Sequence, residues 1–402
     1  MASVRNRFTS RDLLALDACT RCGECQKWCD AYTGDEFTSP KVRLQKLRSW
    51  LKGERLPPLL RWLFGGRIPS PDDMAKFAAG AYRCTMCARC RMVCPVKIEL
   101  RELWLNTREE LVSRGAYPKG LDKAREGVDK EHNVFSYPNE ERALWVDLME
   151  KAPSAVLSPQ GHAEVVYFVG CIASFSPSVQ SIPQAFAQVL AGAGVDFTIM
   201  GSEEYCCGFP LIAAGMKEAA AKVKEHNLQR LREIGARQFF FTCPSCYKTW
   251  VEEYQPSLPG VELLHAAQVI ERLREEGRVN FRPLAKRVTY HDPCDLGRNS
   301  GVYDPPRRVL AAVPGVRFVE IDQSREKAYC CGGGGDLEIS DADLAGAIAG
   351  GTLGRIQKTG AELLVTACPQ CKRMFLRAAE KSQAGLEVLD ISELTLRLME
   401  TS

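Results

Sequence analysis

The sequence lacks several features that would assign it to a common functional class. Its 402 residues include 53 basic and 50 acidic side chains, and this near balance gives no reason to expect a nucleic-acid partner. Residues 1–14 carry Arg5, Arg7 and Arg11 but no apolar core of signal-peptide length, so we expect no export. No uninterrupted apolar run approaches the roughly 18 residues of a membrane span. We therefore expect a cytoplasmic protein, with any association with the inner face of the cell membrane made through partners.

Nucleotide-binding motifs are also missing. No G-x-G-x-x-G follows a predicted strand, and the run Gly332–Gly335 lacks the Gly-Lys-Ser/Thr ending of a phosphate-binding loop. We therefore expect this chain to bind neither flavin nor nicotinamide itself. Electrons would then reach it through another protein, and we expect that protein to be a flavin-containing subunit of a larger complex.

Cysteine, by contrast, is abundant and regularly placed. The 18 cysteines fall below the density of a small disulfide scaffold, and in a reducing cytosol they favour metal ligation. Eight of them form two copies of the bacterial ferredoxin run C-x2-C-x2-C-x3-C. In two-cluster ferredoxins the fourth cysteine of each run ligates the other cluster. The runs therefore predict two cubane [4Fe–4S] clusters, with the ligand sets Cys19, Cys22, Cys25, Cys94 and Cys84, Cys87, Cys90, Cys29.

The N-terminal third also leaves questions open. A pair of zinc sites is the alternative to the two clusters, and Asp30 stands where the first run would usually have proline.

Helices are predicted at 42–51, 57–64 and 99–113, with a polar connector after them. The stretch Leu47–Arg67 mixes aromatic and apolar side chains with cations. This composition suits a membrane surface, a partner subunit or packing against the body of the protein.

The remaining ten cysteines form two registered sets. Each set has a lone cysteine, then an adjacent pair followed by glycine, then Cys-Pro-x-Cys. The members are Cys171, Cys206, Cys207, Cys243 and Cys246 in the first set, and Cys294, Cys330, Cys331, Cys368 and Cys371 in the second. Corresponding members are offset by 123 residues at the lone cysteine, 124 at the pair and 125 at Cys-Pro-x-Cys. This regularity indicates an internal duplication.

Predicted strands and helices repeat together with these cysteines. Strands are expected at 165–169, 195–200 and 238–242 in the first copy, and at 287–290, 316–321 and 362–366 in the second. Helices are expected at 182–191 and 217–234, and at 306–312 and 343–358, while the tails 261–273 and 386–398 also align. The order predicts a duplicated parallel α/β unit with its cysteines at the carboxyl ends of strands, where such sheets place function. Each Cys-Pro-x-Cys taken alone would also suit a redox dithiol or half of a zinc ribbon.

Taken together, these motifs resemble the cysteine-rich (CCG) domain family. Two ferredoxin runs followed by two CCG sets look like the catalytic, D-type subunit of heterodisulfide reductase, or a fusion of its C-type and B-type subunits. The resemblance implies that each five-cysteine set holds a noncubane [4Fe–4S] cluster, where a disulfide is cleaved. It places the sulfur chemistry at the pairs Cys206, Cys207 and Cys330, Cys331, with Gly208, Gly332 and Gly333 leaving the clusters uncovered.

The expected architecture is an α+β multidomain protein. A helical ferredoxin-like domain with two [4Fe–4S] clusters (1–115) precedes a helical connector (116–162). Two tandem CCG domains of α/β type, related by a pseudo-two-fold axis, follow at 163–280 and 281–402. His291 and Asp292, just before Cys294, are either a proton donor to a leaving thiolate or a hydrogen-bonded structural pair.

Two functions remain compatible with this sequence. The first is an oxidoreductase subunit that reduces or forms a disulfide or related sulfur bond, with a thiol or disulfide substrate. The second is an electron-transfer subunit that links a flavoprotein dehydrogenase or bifurcating complex to a quinone or ferredoxin pool. Complete cysteine sets favour the first function, and the absence of a recognisable thiol-binding signature keeps the second open.

Overall fold

The computed structural model describes residues 7–157 and 161–400; Arg5 and residues 158–160 of the expected connector lie outside these ranges. The chain divides into two compact units. The helical unit comprises Met1–Leu121, Pro210–Lys217 and Gly332–Ile348. The sheet unit comprises Asp122–Phe209, Glu218–Cys331 and Ala349–Ser402.

Helices dominate the N-terminal part of the chain. They are α1 (Ser10–Asp17), α2 (Glu24–Lys27), α3 (Pro40–Arg55), α4 (Pro58–Phe64), α5 (Pro71–Tyr82), α6 (Arg89–Met92) and α7 (Leu100–Ser113). Helix α5 was not predicted, because Pro69 and Pro71 suggested a break after Gly65-Gly66. Its start is nevertheless encoded locally: Ser70 and Asp73 form a capping box, and Pro71 occupies the first turn, where its missing N–H costs nothing.

The helical unit has its own apolar core. Leu47 and Leu51 of α3, Phe77 of α5 and Leu111 of α7 are all buried there. Trp50 meets Phe77 edge to face, with 4.5 Å between ring centroids. Residues from three helices therefore share one core, which fixes the loops that carry the ferredoxin cysteines.

The expected connector is partly helical. It contains α8 (Gly120–Glu131), α9 (Leu144–Asp147) and α10 (Ser154–Leu157), with a 3₁₀ turn at Asn139–Ala143. Asn139 and Arg142 of that turn are buried polar residues, and the guanidinium of Arg142 contacts the sulfur of Cys171 in the first repeat.

In the described parts of the chain, eight parallel strands form two four-stranded sheets. The strands are β1 (Val165–Phe168), β2 (Phe197–Ile199), β3 (Gln238–Phe241), β4 (Glu262–His265), β5 (Arg287–Tyr290), β6 (Arg317–Val319), β7 (Leu363–Thr366) and β8 (Glu387–Asp390). The strand order is β2-β1-β3-β4 in one sheet and β6-β5-β7-β8 in the other. All pairings within them are parallel, which confirms the predicted duplicated parallel unit. The outer strands β2 and β6 are each shorter than predicted by three residues, since only 197–199 and 317–319 make ladder hydrogen bonds.

Helices connect and flank these strands. They are α11 (Cys171–Phe175), α12 (Ser181–Gly192), α13 (Phe209–Ala214), α14 (Lys217–Ile234), α15 (Pro244–Thr249), α16 (Ala266–Glu275), α17 (Asp304–Ala311), α18 (Leu337–Ser340), α19 (Ala342–Gln357), α20 (Pro369–Ser382) and α21 (Ile391–Leu398). Helix α12 of the first repeat packs against α21 of the second, and α16 packs against α17. One continuous apolar core, running from Trp145 to Leu398, therefore serves both repeats. None of the helices within the described ranges combines the length and the apolar composition needed to cross a bilayer.

Candidate functional site

Four cysteines from both ferredoxin runs line one cavity of the helical unit. They are Cys19, Cys22, Cys25 and Cys94. Burial, and then the charges of the other three cysteines, raise the pKa of the Cys25 thiol to about 11. Four thiolates gathered in this way repel each other unless a cationic centre lies among them, and the iron of a cluster supplies such a centre. The donor set therefore fits an iron–sulfur cluster.

A second cavity is lined by the other four ferredoxin cysteines. These are Cys29, Cys84, Cys87 and Cys90. Burial, together with the neighbouring charge of Cys84, raises the pKa of Cys29 to about 12. The structure thus groups the eight cysteines into the same two sets that the spacing of the ferredoxin runs predicts. Their assignment as cluster ligands stays a prediction.

The two ferredoxin loops share an unusual backbone. Arg21 and Gly23 have φ of +61° and +85°, and the corresponding Met86 and Ala88 have φ of +55° and +63°. Left-handed backbone at a residue with a Cβ is strained, and such strain concentrates at functional sites. The two loops therefore share the same left-handed positions, as expected if each brings its three successive thiols around one centre.

Asp30, the departure from the ferredoxin pattern, has a partner. Its carboxylate lies 2.8 Å from Nη1 of Arg89, which is itself buried. Arg89 also lies over the ring of Trp28, 5.0 Å from the ring centroid. The residue that replaces proline thus joins the two ferredoxin runs to each other.

Cys84 differs from its neighbours because two buried arginines lie close to it. Burial opposes ionisation of its thiol, but the charges of Arg43 and Arg108 outweigh that effect and lower the pKa of Cys84. Positive charge beside a cluster ligand favours the reduced, more negative state of that cluster. Both arginines were missed in the sequence, where each lies on an amphipathic helix without any motif.

Arg108 of α7 donates hydrogen bonds to three separate backbone segments of the helical unit. It reaches the carbonyls of Ala81 (3.1 Å), Cys84 (2.8 Å), Ala213 (2.8 Å) and Gly335 (2.9 Å). Its side chain is completely buried. Ala213 follows Cys207 by six residues and Gly335 follows Cys331 by four, so one guanidinium holds the segments that come after both cysteine pairs.

The five cysteines of the first repeat are in mutual contact. Thiol–thiol hydrogen bonds run from Cys171 to Cys206, from Cys206 to Cys207, from Cys207 to Cys246 and from Cys246 to Cys243. Cys243 caps α15 directly after β3, and Pro244 begins that helix as predicted. The strand ends and the pair loop therefore deliver all five thiols to one place.

A buried ion pair anchors this cysteine group. Nη1 of Arg142 lies 2.9 Å from Oε1 of Glu204, and both side chains are almost inaccessible to solvent. Arg142 also lies 3.7 Å from Sγ of Cys171. The Glu204 carboxylate accepts hydrogen bonds from the backbone N–H groups of Val169 and Gly170, both at 2.8 Å. The ion pair thus fixes the end of β1 against the loop that carries Cys206 and Cys207. No sequence motif indicates this role.

In the second repeat, Cys371 contacts both Cys331 and Cys368 through its thiol. Cys368 caps α20, and its Sγ accepts from the N–H of Cys371 at 3.4 Å. The carbonyl of Cys330 accepts from Oγ1 of Thr352 at 2.7 Å. Asn227 donates to the corresponding carbonyl of Cys206 at 3.2 Å. Both pairs therefore have their backbone fixed by a buried side chain from the following long helix.

His291 and Asp292 have structural partners. Nε2 of His291 lies 3.1 Å from the carbonyl oxygen of Tyr329, and its ring packs edge to face on Phe375 at 4.7 Å. Asp292 forms a bidentate ion pair with Arg307, with distances of 2.7 and 2.8 Å. These contacts favour the hydrogen-bonded structural alternative for both residues.

The glycines after the cysteine pairs are required by close backbone packing. Gly332 has φ +86°, and a Cβ there would lie 2.3 Å from the carbonyl oxygen of Ala345. At Gly334 and Gly335 a Cβ would lie 2.6 Å from the carbonyl oxygen of Thr85 and 2.5 Å from that of Cys84. Gly208, at φ +88°, has more room. The predicted role of Gly208, Gly332 and Gly333 in leaving a cluster uncovered stays a prediction.

Within residues 7–157 and 161–400, no group of three or more His, Cys, Asp or Glu side chains is arranged to hold a single metal ion. The fit to a multi-iron cluster rests instead on the thiol-lined cavities and on the contacting thiols of the first repeat.

Comparison with known proteins identifies both halves of the chain. A family described as 4Fe-4S dicluster domain matches residues 15–98, and one described as Cysteine-rich domain (CCG) matches residues 165–249 and 288–376. The D-type subunit of "Dihydromethanophenazine:CoB--CoM heterodisulfide reductase" from Methanosarcina barkeri is 34% identical over 96% of this chain and 95% of its own length.

Two other relatives extend the comparison. The D-type heterodisulfide reductase subunit from Methanosarcina acetivorans is 33% identical over 96% of this chain and 94% of its own length. "EtfAB:quinone oxidoreductase" from Syntrophomonas wolfei is 30% identical over 98% of this chain, which spans 59% of that relative. With near-complete coverage in both directions, the chain belongs to the family of D-type heterodisulfide reductase subunits, which are CCG-domain iron–sulfur proteins.

Proposed function

We propose that this chain is an oxidoreductase subunit that reduces or forms a disulfide or related sulfur bond. Electrons would pass between two cubane [4Fe–4S] clusters in the ferredoxin-like part and two noncubane [4Fe–4S] clusters, one in each CCG repeat. When bound, each cluster supplies one electron at a time, so two clusters together match the two-electron chemistry of a disulfide.

The observation that carries this proposal is the mutual contact of all five cysteines in the first repeat. A repeat that only carried an electron past this point would need four ligands for one cubane cluster. Five contacting thiols, including an adjacent pair, support a cluster of another type. Cys206, Cys207, Cys330 and Cys331 are the proposed sites of sulfur chemistry, with an approximate two-fold relation between the repeats.

The surrounding residues have defined tasks in this proposal. Arg142 and Glu204 hold the first set in place, and Arg142 brings positive charge to the Cys171 sulfur. Arg108 and Arg43 bring positive charge to Cys84. Charges in a buried site act strongly because water does not screen them.

A second candidate function is electron transfer without small-molecule chemistry. It is favoured by the relative named EtfAB:quinone oxidoreductase, which aligns with nearly the whole of this chain. In both cases we propose a flavin-containing partner subunit within a larger complex and a cytoplasmic location peripheral to the membrane. We also propose that the domains span residues 1–115, 116–162, 163–280 and 281–402.

The metal content tests the cofactor part of the proposal. Protein prepared without oxygen should contain about 16 iron atoms per chain, as expected for four four-iron clusters. Cys22→Ser or Cys87→Ser should each remove one cubane signal from the electron paramagnetic resonance (EPR) spectrum and leave the sheet unit folded. Stoichiometric zinc without iron would contradict the proposal.

Turnover tests the chemistry. The intact complex, supplied with reduced viologen, is assayed against a panel of thiol disulfides. Cys207→Ser and Cys331→Ser should each abolish disulfide reduction while both cubane signals remain. If the wild-type complex reduces no disulfide but reduces a quinone or ferredoxin quickly, the electron-transfer function is correct instead.

A further inference from the structure

Helix α4 exposes its apolar side chains to solvent. Trp62 is 84% exposed, Leu59 78%, Leu63 61% and Phe64 60%, and Ile68 just beyond the helix is 57% exposed. No residue of α4 is buried. For residues 58–64, the structure therefore rules out packing against the body of the protein as the reason for this composition.

The helix is nevertheless held firmly at its base. Arg67 donates its backbone N–H to the carbonyl of Ser49 at 3.0 Å, and Ser49 Oγ donates to the carbonyl of Gly65 at 2.7 Å. A Cβ at Gly53 would lie 2.1 Å from the carbonyl oxygen of Arg67, so only glycine permits this close approach. The fold thus builds a fixed projection, here called the apolar tip (residues 57–68), whose large side chains are left outside the core.

The apolar side chains cover more than half of the circumference of α4 rather than one narrow stripe. Leucine, tryptophan and phenylalanine fill five of the seven helix positions, and Arg61 is the one charged residue among them. A helix that docks in a protein groove needs one apolar face and keeps the other polar. A tip whose exposed apolar side chains extend well beyond one narrow face is suited to a medium that contacts it from several sides, as the interior of a lipid leaflet does.

The length and charge of the tip point to the same medium. Seven helical residues extend about 10 Å, which suffices to enter one leaflet but not the roughly 30 Å hydrocarbon core. Arg55, Arg61 and Arg67 are cations at and below the tip, Lys52 is a fourth that is paired with Asp17 at 3.1 Å, and Glu54 is the one acidic residue in 52–68. Glu54 is already paired with Arg114 at 2.8 Å. The cations at and below the tip therefore complement anionic lipid headgroups. Tryptophan, the residue at position 62, is enriched at the membrane–water interface.

We propose that the apolar tip inserts directly into an anionic lipid surface and attaches the protein to a membrane without a transmembrane segment in this part of the chain. The attachment does not depend on the chemistry proposed for the cysteines. It differs from association through a partner, because the side chains of this chain contact the lipid themselves.

Vesicle flotation of the purified, cluster-loaded chain tests the proposal. The wild-type chain should float with vesicles of phosphatidylcholine and phosphatidylglycerol in equal parts, and more weakly with phosphatidylcholine alone. The double variant Trp62→Ser/Leu63→Ser should bind the anionic vesicles at least about tenfold more weakly, since it removes two large apolar groups. Arg67→Gln should reduce the preference for anionic lipid.

Matched variants separate the tip from exposed apolar surface in general. Leu144→Ser/Leu148→Ser removes two other exposed leucines, 48% and 68% exposed, and should leave flotation unchanged. Trp62→Phe should keep vesicle binding but lose the vesicle-dependent change in tryptophan emission. Unchanged absorbance of the clusters will show that each variant is folded and loaded.

Two outcomes would overturn the proposal. In the first, the wild-type chain does not float with anionic vesicles; if the double variant also fails to form the complex with its flavin-containing partner, the tip is a protein-docking surface. In the second, the double variant floats as well as wild type.

Discussion

The two CCG repeats perform the same structural task with different residues. In the first repeat Glu204, on the loop before the cysteine pair, accepts hydrogen bonds from the end of β1. In the second repeat the corresponding position is Ala328, and the carboxylate lies on the strand end instead, as Asp292. Asp292 accepts from the backbone N–H of Arg325 on the loop before the pair, at 2.8 Å. Each repeat thus ties a strand end to its pair loop through one buried carboxylate.

The arginine partners differ as well. Arg142 comes from the connector before the first repeat, is fully buried and touches the Cys171 sulfur. Arg307 comes from α17 within the second repeat and also binds the half-exposed Glu320. The duplication therefore preserved the cysteines and the strand order, while the charged groups around them diverged. We expect the two cysteine sets to have different electronic environments despite equal ligand numbers.

The largest loss of stability is expected at Arg108, because its side chain binds the segments that follow the cysteine pairs of both repeats. Arg108→Leu would leave the carbonyls of Cys84, Ala213 and Gly335 buried without their donor, at about 1–3 kcal/mol each. The variant should lose several kcal/mol of stability, and hydrogen exchange should rise in both 210–217 and 332–348. Loss of the positive charge should also lower the reduction potential of the cluster proposed at Cys84, measured by an EPR-monitored redox titration. Arg108→Lys keeps the charge, so its potential should stay closer to wild type while its stability still falls.

Breaking the two ion pairs separately tests their difference. Arg142→Leu leaves Glu204 buried and uncompensated, which costs on the order of 3–5 kcal/mol. Arg307→Leu also leaves a buried carboxylate, Asp292, without its cation, so it should cost a comparable amount, while its second partner Glu320 can turn to solvent. Thermal unfolding of the intact protein measures both effects. The EPR signal of the cluster proposed in the first repeat should change in Arg142→Leu, since Arg142 contacts the Cys171 sulfur, and that of the second-repeat cluster should change less in Arg307→Leu. Equal changes of the two signals would show that the charge environments are equivalent.

The glycines that follow the pairs provide a finer comparison. Gly208→Ala and Gly332→Ala both place a Cβ in left-handed backbone, which costs roughly 1–2 kcal/mol. At Gly332 the new Cβ would also lie 2.3 Å from a carbonyl oxygen, whereas at Gly208 its nearest neighbour is 3.4 Å away. Gly332→Ala should therefore lower the melting temperature distinctly more than Gly208→Ala. The same shift in both variants would contradict the packing described for Gly332.

The smallest effect on turnover is expected at His291. A proton donor would contribute about 10²–10⁴-fold to the rate, so its removal would be conspicuous. Because His291 is fixed by Tyr329 and Phe375, we expect His291→Gln to lower stability but to leave disulfide turnover within about twofold of wild type. A loss of a hundredfold or more at unchanged cluster content would restore the proton-donor alternative.

The duplicated parallel sheets could be predicted from the amino-acid sequence, because strand periodicity, helix caps and cysteine spacing are all local signals. The same holds for the two groups of ferredoxin cysteines, which the structure brings around two cavities. Those groups follow from motif spacing within two short runs, and the loops repeat the same left-handed positions. Helix α5 could have been predicted too, since its capping box lies within four consecutive residues.

Tertiary packing, by contrast, determines which charged groups surround the cysteines and which apolar residues remain outside the core. Arg108 and Gly335 are 227 positions apart, and Arg142 and Glu204 are 62 apart, so no periodic pattern connects them. The residues of α4 have the composition of an ordinary core helix. They are exposed because Gly53 and the hydrogen bonds at the base of the tip hold the helix away from the core, and packing of that kind depends on the whole fold.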